Sequence, residues 1–297
     1  MTDNWLLRRE RGSRTLLQFM TWLSLSCGWR LGWLLLWPIT AYFTMFSLAG
    51  RRASRAYLAT VLHRKPSWRD RYRHYFTFSS TVLDRPFFLT GGLLGYDIKV
   101  FGMEKFLEYW QRGRGCILFG AHLGSFEVLR AFAECEPRLV VHALMLDNGE
   151  HASDFFSSMN PKITQKVIPI GALGAMLRVR EALDQGAVVG ILVDRIARGD
   201  KITEADFLGK PAAFPTGPFV LAGLAAAPVM LCFGLHCGGR RYELHFEPFA
   251  DPLTMAREQR DRELQQWVQK FATRLEHYCR QRPFNWFNFY DFWGQRP

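Results

Sequence analysis

The sequence predicts an α/β fold, a mostly parallel central sheet flanked by helices, with one or more membrane-anchoring helices at its N-terminal end. Three observations carry this. From about residue 97, short apolar runs alternate with stretches of helical character, the pattern of a covered parallel sheet. Residues 15–50 hold a single charge, Arg30. The 24 residues that follow, 51–74, carry +7 of the chain's net +11.

Taken in order, residues 31–50 (LGWLLLWPITAYFTMFSLAG) contain no charge at all. A spanning helix needs about 20 apolar residues, so the segment qualifies by length. Pro38 lies inside it and is expected to break or kink the helix. The segment is therefore a kinked span or a pair of helices dipping into one leaflet; a buried core helix is the alternative. Trp22, Trp29, Trp33, Trp37 and Tyr42 favour the membrane, because indoles and phenols settle at headgroup level. Arg51, Arg52, Arg55, Arg64, Lys65, Arg69, Arg71 and Arg73, set against Asp70 alone, suit an anionic leaflet. Residues 1–60 are accordingly expected to form the anchor with its basic flank, and 61–297 the catalytic domain.

The strands are expected at 116–121, 139–146, 167–170, 187–193, 228–235 and 242–249. Helices are expected at 125–135, 171–185, 217–226 and 254–281. With 297 residues, 48% of them hydrophobic, and a mean hydropathy of −0.08, the chain is neither disordered nor a polytopic transporter. No nucleic-acid motif occurs, so the excess charge does not point to nucleic acid. The six cysteines lack CxxC spacing and read as buried thiols. Cys232, His236 and Cys237 have no second ligand pair, so no metal site is expected.

One segment, GAHLGSFEVLR at 120–130, is a candidate for chemistry. His122 and Glu127 stand five apart. That spacing alone carries little, since His142 and Asp147 share it, but the latter pair lies along one strand and points to opposite faces. His122 follows a strand end, where ligands of α/β sheets bind. Leu123-Gly124-Ser125 supplies a turn, with Ser125 as an expected helix N-cap or, as the nearest hydroxyl to His122, a substrate-binding residue. A histidine takes a proton from a hydroxyl near neutral pH, and a carboxylate on its other nitrogen fixes the tautomer. A satisfied structural histidine is the alternative. No GxSxG nucleophile is present.

His122-Leu123-Gly124-Ser125-Phe126-Glu127 resembles the HxxxxD/E motif of the lysophospholipid acyltransferases, in particular the branch of bacterial lipid A late acyltransferases. GAVVGILVDR (186–195), FLGKPAAFPTGPFVLA (207–222) and RPFNWF (282–287) resemble further motifs of that branch, and the likeness runs over roughly 15–293. It implies a glycerolipid-acyltransferase-like sheet. It also implies transfer of a fatty acyl chain from a thioester of acyl carrier protein or coenzyme A to a hydroxyl of a membrane lipid. No cofactor is implied beyond that co-substrate. The implied setting is the bacterial inner membrane, with the catalytic domain on the cytoplasmic side and the chain acting as a monomer.

On this chain the resemblance makes His122 the base and Glu127 its partner. Asp194 and Arg195 would lie near the substrate, Arg195 binding a phosphate or the developing oxyanion or pairing with Asp194 or Glu204. The Thr216-Gly217 turn would open a helix toward an anion or serve as its cap. Ser125-Phe126 and Arg195 depart from the branch's usual residues. So does the aromatic tail FNWFNFYDFWG (284–294), which reads as a plug docked in the core, a membrane-facing edge or part of an acyl pocket. These departures leave the acceptor open: a lipid A precursor, a lysophospholipid or another lipid. A non-catalytic membrane-surface module and a thioester hydrolase are the competing functions.

Overall fold

The computed structural model describes residues 14–91, 93–134, 139–146, 167–170, 174–197 and 199–294. Asp147, with which His142 shares the spacing of the motif, and residues 171–173 of the expected helix lie outside them.

Four helices come first: α1 (Arg14–Cys27), α2 (Trp29–Phe46), α3 (Leu48–Val61) and α4 (Trp68–Gly91). The body follows as β1 (Asp97–Phe101), α5 (Met103–Gln111), β2 (Cys116–Gly120), α6 (Glu127–Glu134), β3 (Val141–Leu146) and β4 (Val167–Ile170). It continues with α7 (Ala175–Asp184), β5 (Val188–Leu192), the hairpin β6 (Ile202–Phe207) and β7 (Lys210–Pro215), α8 (Gly217–Ala225), β8 (Val229–His236), β9 (Arg241–Ala250) and α9 (Arg260–Gln281).

Seven strands make one sheet in the order β1-β9-β8-β2-β5-β3-β4. All neighbouring pairs are parallel except the β8–β9 hairpin. Central strands buried on both faces should be continuous apolar runs. β2 (CILFG) and β8 (VMLCFGLH) are such runs, and every residue in them is buried. Helix α9 covers one face: Phe271, fully buried, meets the rings of Phe119, Phe214 and Phe219.

The expected break at Pro38 does not occur. Pro38 lies within the continuous helix α2, and the chain turns instead at Ser47, where α2 and α3 bend by 93°. The turn is held by local bonds: Ser47 N–H donates to Phe43 O, and the Arg51 guanidinium caps the carbonyl of Met45 at 2.8 Å. Among the described residues no single helix is long and apolar enough to cross a membrane; α2 and α3 together pass by length and composition.

Helices α1 and α2 are built inside out. The buried stripe of α2 is Gly32, Leu36, Thr40 and Thr44, largely small or polar. A Cβ at Gly32 would lie 2.7 Å from Ser24 Oγ and 2.8 Å from a methyl of Leu83, so α1, α2 and α4 pack at close range there. The large residues face out instead: Trp22 is 62% exposed and Phe46 63%, with Leu34, Trp37, Tyr42 and Met45 alongside. The same group of helices is fastened to the body. Trp29 Nε1 donates to Asp84 of α4 at 2.6 Å, and Asp84 also accepts from Tyr96 (2.9 Å) and from Tyr242 of β9 (2.6 Å). Tyr57, Leu58 and Val61 of α3 join the main core.

Replacing Phe271 with Ala removes a fully buried ring and is expected to cost about 3–5 kcal/mol, read as a lower denaturation midpoint with the slope unchanged.

Candidate active site

His122 stands just past the carboxyl end of β2, and Asp194 just past that of β5. The two strands pair in register through Gly120 and Leu192, and Val193 N–H bonds Gly120 O at 3.0 Å. Two residues further along each chain the two side chains therefore meet. His122 Nδ1 lies 2.7 Å from Asp194 Oδ1, and the His122 backbone N–H lies 3.0 Å from both carboxylate oxygens.

Asp194 has no solvent exposure. A buried carboxylate must be supplied with hydrogen-bond donors, and the C-terminal tail supplies two more. Trp286 Nε1 donates to Oδ2 at 3.0 Å, and Asn288 Nδ2 at 2.9 Å. Burial alone would raise the pKa of Asp194. The charge and hydrogen bond of His122, the charge of Arg195 and the bond from Asn288 outweigh it and hold the pKa at about 2. Asp194 is thus an anion at any working pH, and it requires the proton of the ring on Nδ1. Nε2 is then the basic nitrogen. The His122 side chain keeps 27% of its surface.

Glu127 was expected to hold this ring. Its carboxylate, at the start of α6, is bound by Arg85 Nε of α4 at 2.5 Å. Burial is offset by the charges of Arg85 and Arg130, which keep Glu127 below the usual carboxylate range. The partner of the ring is Asp194, 72 residues away in sequence. Only the pairing of β2 with β5 brings them together.

Ser125 is not the N-cap of α6. The helix begins at Glu127, and the Phe126 carbonyl accepts from Leu129 and Arg130 N–H. Ser125 N–H instead donates to Gly234 O on β8 at 2.7 Å. The glycine before it is required by the fold. Gly124 has φ +71°, and a Cβ there would lie 1.9 Å from Gly234 O. Arg195 Nε donates to Asn288 Oδ1 at 2.9 Å and its terminal NH2 to Phe287 O at 3.2 Å, with Tyr290 beneath. It braces the tail that supplies Asp194. Thr216 does not cap α8 with its side chain; its hydroxyl donates to Lys201 O at 3.0 Å, while Gly217 is exposed at the start of the helix.

The tail is a plug in the core. Trp286, Asn288, Tyr290 and Phe292 are buried. Trp286 is held through its backbone: His74 Nε2 donates to Trp286 O at 2.8 Å, and His74 Nδ1 accepts from Ser54 Oγ at 2.9 Å. The carbonyl acceptor fixes this tautomer. Burial pushes the His74 pKa down to about 4, so the ring is neutral. His74, Ser54, Arg85 and Asn288 escaped the sequence reading, since none belongs to a spaced motif. Trp286 did lie in a motif, RPFNWF, but nothing there assigned it to Asp194.

Two outcomes are expected. Gly124→Ala lowers the thermal midpoint sharply, because both backbone strain and the contact with Gly234 resist it. His74 titrates near 6.5 when unfolded and about 4 when folded, so the unfolded chain binds more protons between those values. Its stabilisation is present above pH 6.5 and lost as pH falls toward 4. Urea denaturation across that window should therefore be steeper in pH for the wild type than for His74→Gln, which keeps a donor to Trp286 O.

A model of the bacterial lipid A biosynthesis acyltransferase family matches residues 93–294, which contain both His122 and Asp194. No curated protein matches the chain. With that match covering more than half its length, the chain belongs to the bacterial lipid A biosynthesis acyltransferase family and is an acyltransferase.

Proposed function

We propose that the protein transfers a fatty acyl chain from a thioester, of acyl carrier protein or coenzyme A, to a hydroxyl of a membrane lipid. His122 is the general base and Asp194 its orienting carboxylate. The observation that carries this is the 2.7 Å bond from His122 Nδ1 to the fully buried Asp194. It fixes the ring and leaves Nε2 to take the hydroxyl proton while the oxygen attacks the thioester carbonyl. The thiol leaves with a proton returned from the imidazolium. Asp194 stabilises that imidazolium through charge. Glu127 serves as a positioning residue, tying the start of α6 to α4 through Arg85.

The inverted faces of α1 and α2 support seating on a leaflet. Small residues turned inward and large apolar ones outward suit helices with lipid around them. The exposed arginines of 51–73 complement an anionic surface. In this proposal the protein lies at the cytoplasmic face of the bacterial inner membrane.

His122→Ala should lower kcat at least about a hundredfold. Asp194→Asn, which spoils the tautomer, should lower it by roughly ten-thousand-fold. Glu127→Gln should retain far more activity than Asp194→Asn; the reverse order would overturn the assignment of Asp194. Mass spectrometry of lipids from a deletion strain, complemented with wild type or His122→Ala, identifies the acceptor. Release of free fatty acid with no acylated lipid would select hydrolysis instead.

Flotation with vesicles containing anionic lipid should recover the wild type. The double variant Leu34→Glu, Trp37→Glu should remain in the dense fraction.

A further inference from the structure

A second site lies away from His122. An open pocket of about 720 Å³ is formed where the α1–α2 turn, α4, the segment before β1 and the β8–β9 turn converge. Trp29, Arg30, Phe87, Gly95, Gly239 and Arg240 line it. Its contents are a cation in an aromatic surround. The Arg240 guanidinium lies 4.8 Å from the ring centre of Tyr96 and 5.5 Å from those of Trp29 and Phe87. Gly95 makes room for it, since a Cβ there would come within 2.6 Å of an Arg240 terminal nitrogen.

Tyr96 is a hydrogen-bond partner of this guanidinium, but its donors are not all used within the protein. Arg240 Nε is buried and has no partner. The neighbouring acid is Asp84, whose oxygens are taken by Trp29, Tyr96 and Tyr242. It faces Arg240 through charge alone. Arg30, exposed at the edge, adds a second positive charge. A buried donor without an acceptor costs stability, and two arginines at one pocket match the several oxygens of a phosphate.

The surroundings indicate what carries that phosphate. Gly28, in the turn between α1 and α2, lines the pocket, and the helices on either side of that turn carry the exposed Trp22, Leu25, Leu31 and Leu34. An anion bound here sits against the face that the proposal above lays on a leaflet. It is also on the catalytic side of the sheet: β8 runs parallel to β2, and its turn lies past the same strand ends as His122.

We propose that this pocket binds the phosphate ester of a membrane lipid headgroup, with Arg240 and Arg30 as its ligands and the acyl chains lying along α1 and α2. The proposal rests on the interfacial reading of those helices and is independent of His122 acting as a base.

The test is titration of the detergent-solubilised full chain, followed by phosphorus NMR line broadening, without thioester. The probes are dihexanoylphosphatidic acid and inorganic phosphate. The lipid should bind saturably and at least about tenfold more tightly than inorganic phosphate. Arg240→Gln should weaken it by about tenfold or more, the loss of one charge-assisted bond. Arg30→Gln, altered at an exposed position, carries the same expectation should Arg240→Gln not fold. His122→Ala should bind as the wild type does, so the two proposals fail separately. The assignment is overturned by the absence of saturable lipid binding, by unchanged binding in the folded arginine variants, or by inorganic phosphate binding as tightly as the lipid, which would make it a site for the free anion.

Discussion

One buried charge organises this molecule. Asp194 has no contact with water, and an unpaired carboxylate in that position would cost several kcal/mol. Its donors come from remote parts of the chain: His122 after β2, and Trp286 and Asn288 from the tail. The register of β2 against β5 matters because it brings the first donor. The docking of the tail matters because it brings the other two. His74 and Ser54 then couple the N-terminal helices to the same point through the backbone of Trp286. Removing any one element leaves a charge with too few partners, so the His122 ring and the C-terminal plug depend on the same carboxylate.

A second organising constraint is the reversal of polarity in α1 and α2. In a soluble helix the apolar stripe faces the core. Here the core side of α2 has Gly32, Thr40 and Thr44 with a single large residue, Leu36, and Leu34, Trp37, Tyr42, Met45 and Phe46 are exposed. Close packing among α1, α2 and α4, the Trp29–Asp84 bond and the contacts of the Trp33 and Trp37 rings with Phe76 hold these helices to the body. Trp22, Leu34, Tyr42, Met45 and Phe46 are left exposed on the outer face.

Much of this was legible in the sequence, and the limits are instructive. The central strands were visible because a fully covered parallel strand is a short apolar run, as in CILFG; the edge strand β1 and the β6–β7 hairpin were not among the expected runs. The motif histidine was legible from its place after such a run. Its partner was not. Glu127 was near in sequence and of the right chemistry, but a helix start directs it to Arg85 instead. Asp194 becomes the partner only once the strand order places β5 beside β2, information that no local pattern contains. Pro38 was a weaker guide: it did not end the helix, which runs on to Phe46. The true turn, at Ser47, lacks a proline or glycine to announce it.

The position of the last donors in the chain has a consequence for biosynthesis. Proteins emerge from the ribosome N-terminus first. The outward-facing tryptophans and leucines of α1 and α2 are made more than two hundred residues before Trp286 and Asn288. Until those two arrive, Asp194 lacks half of its support and the ring of His122 has no settled anchor. The nascent chain can therefore meet a lipid surface long before Asp194 has its full set of donors, and that carboxylate waits for the tail.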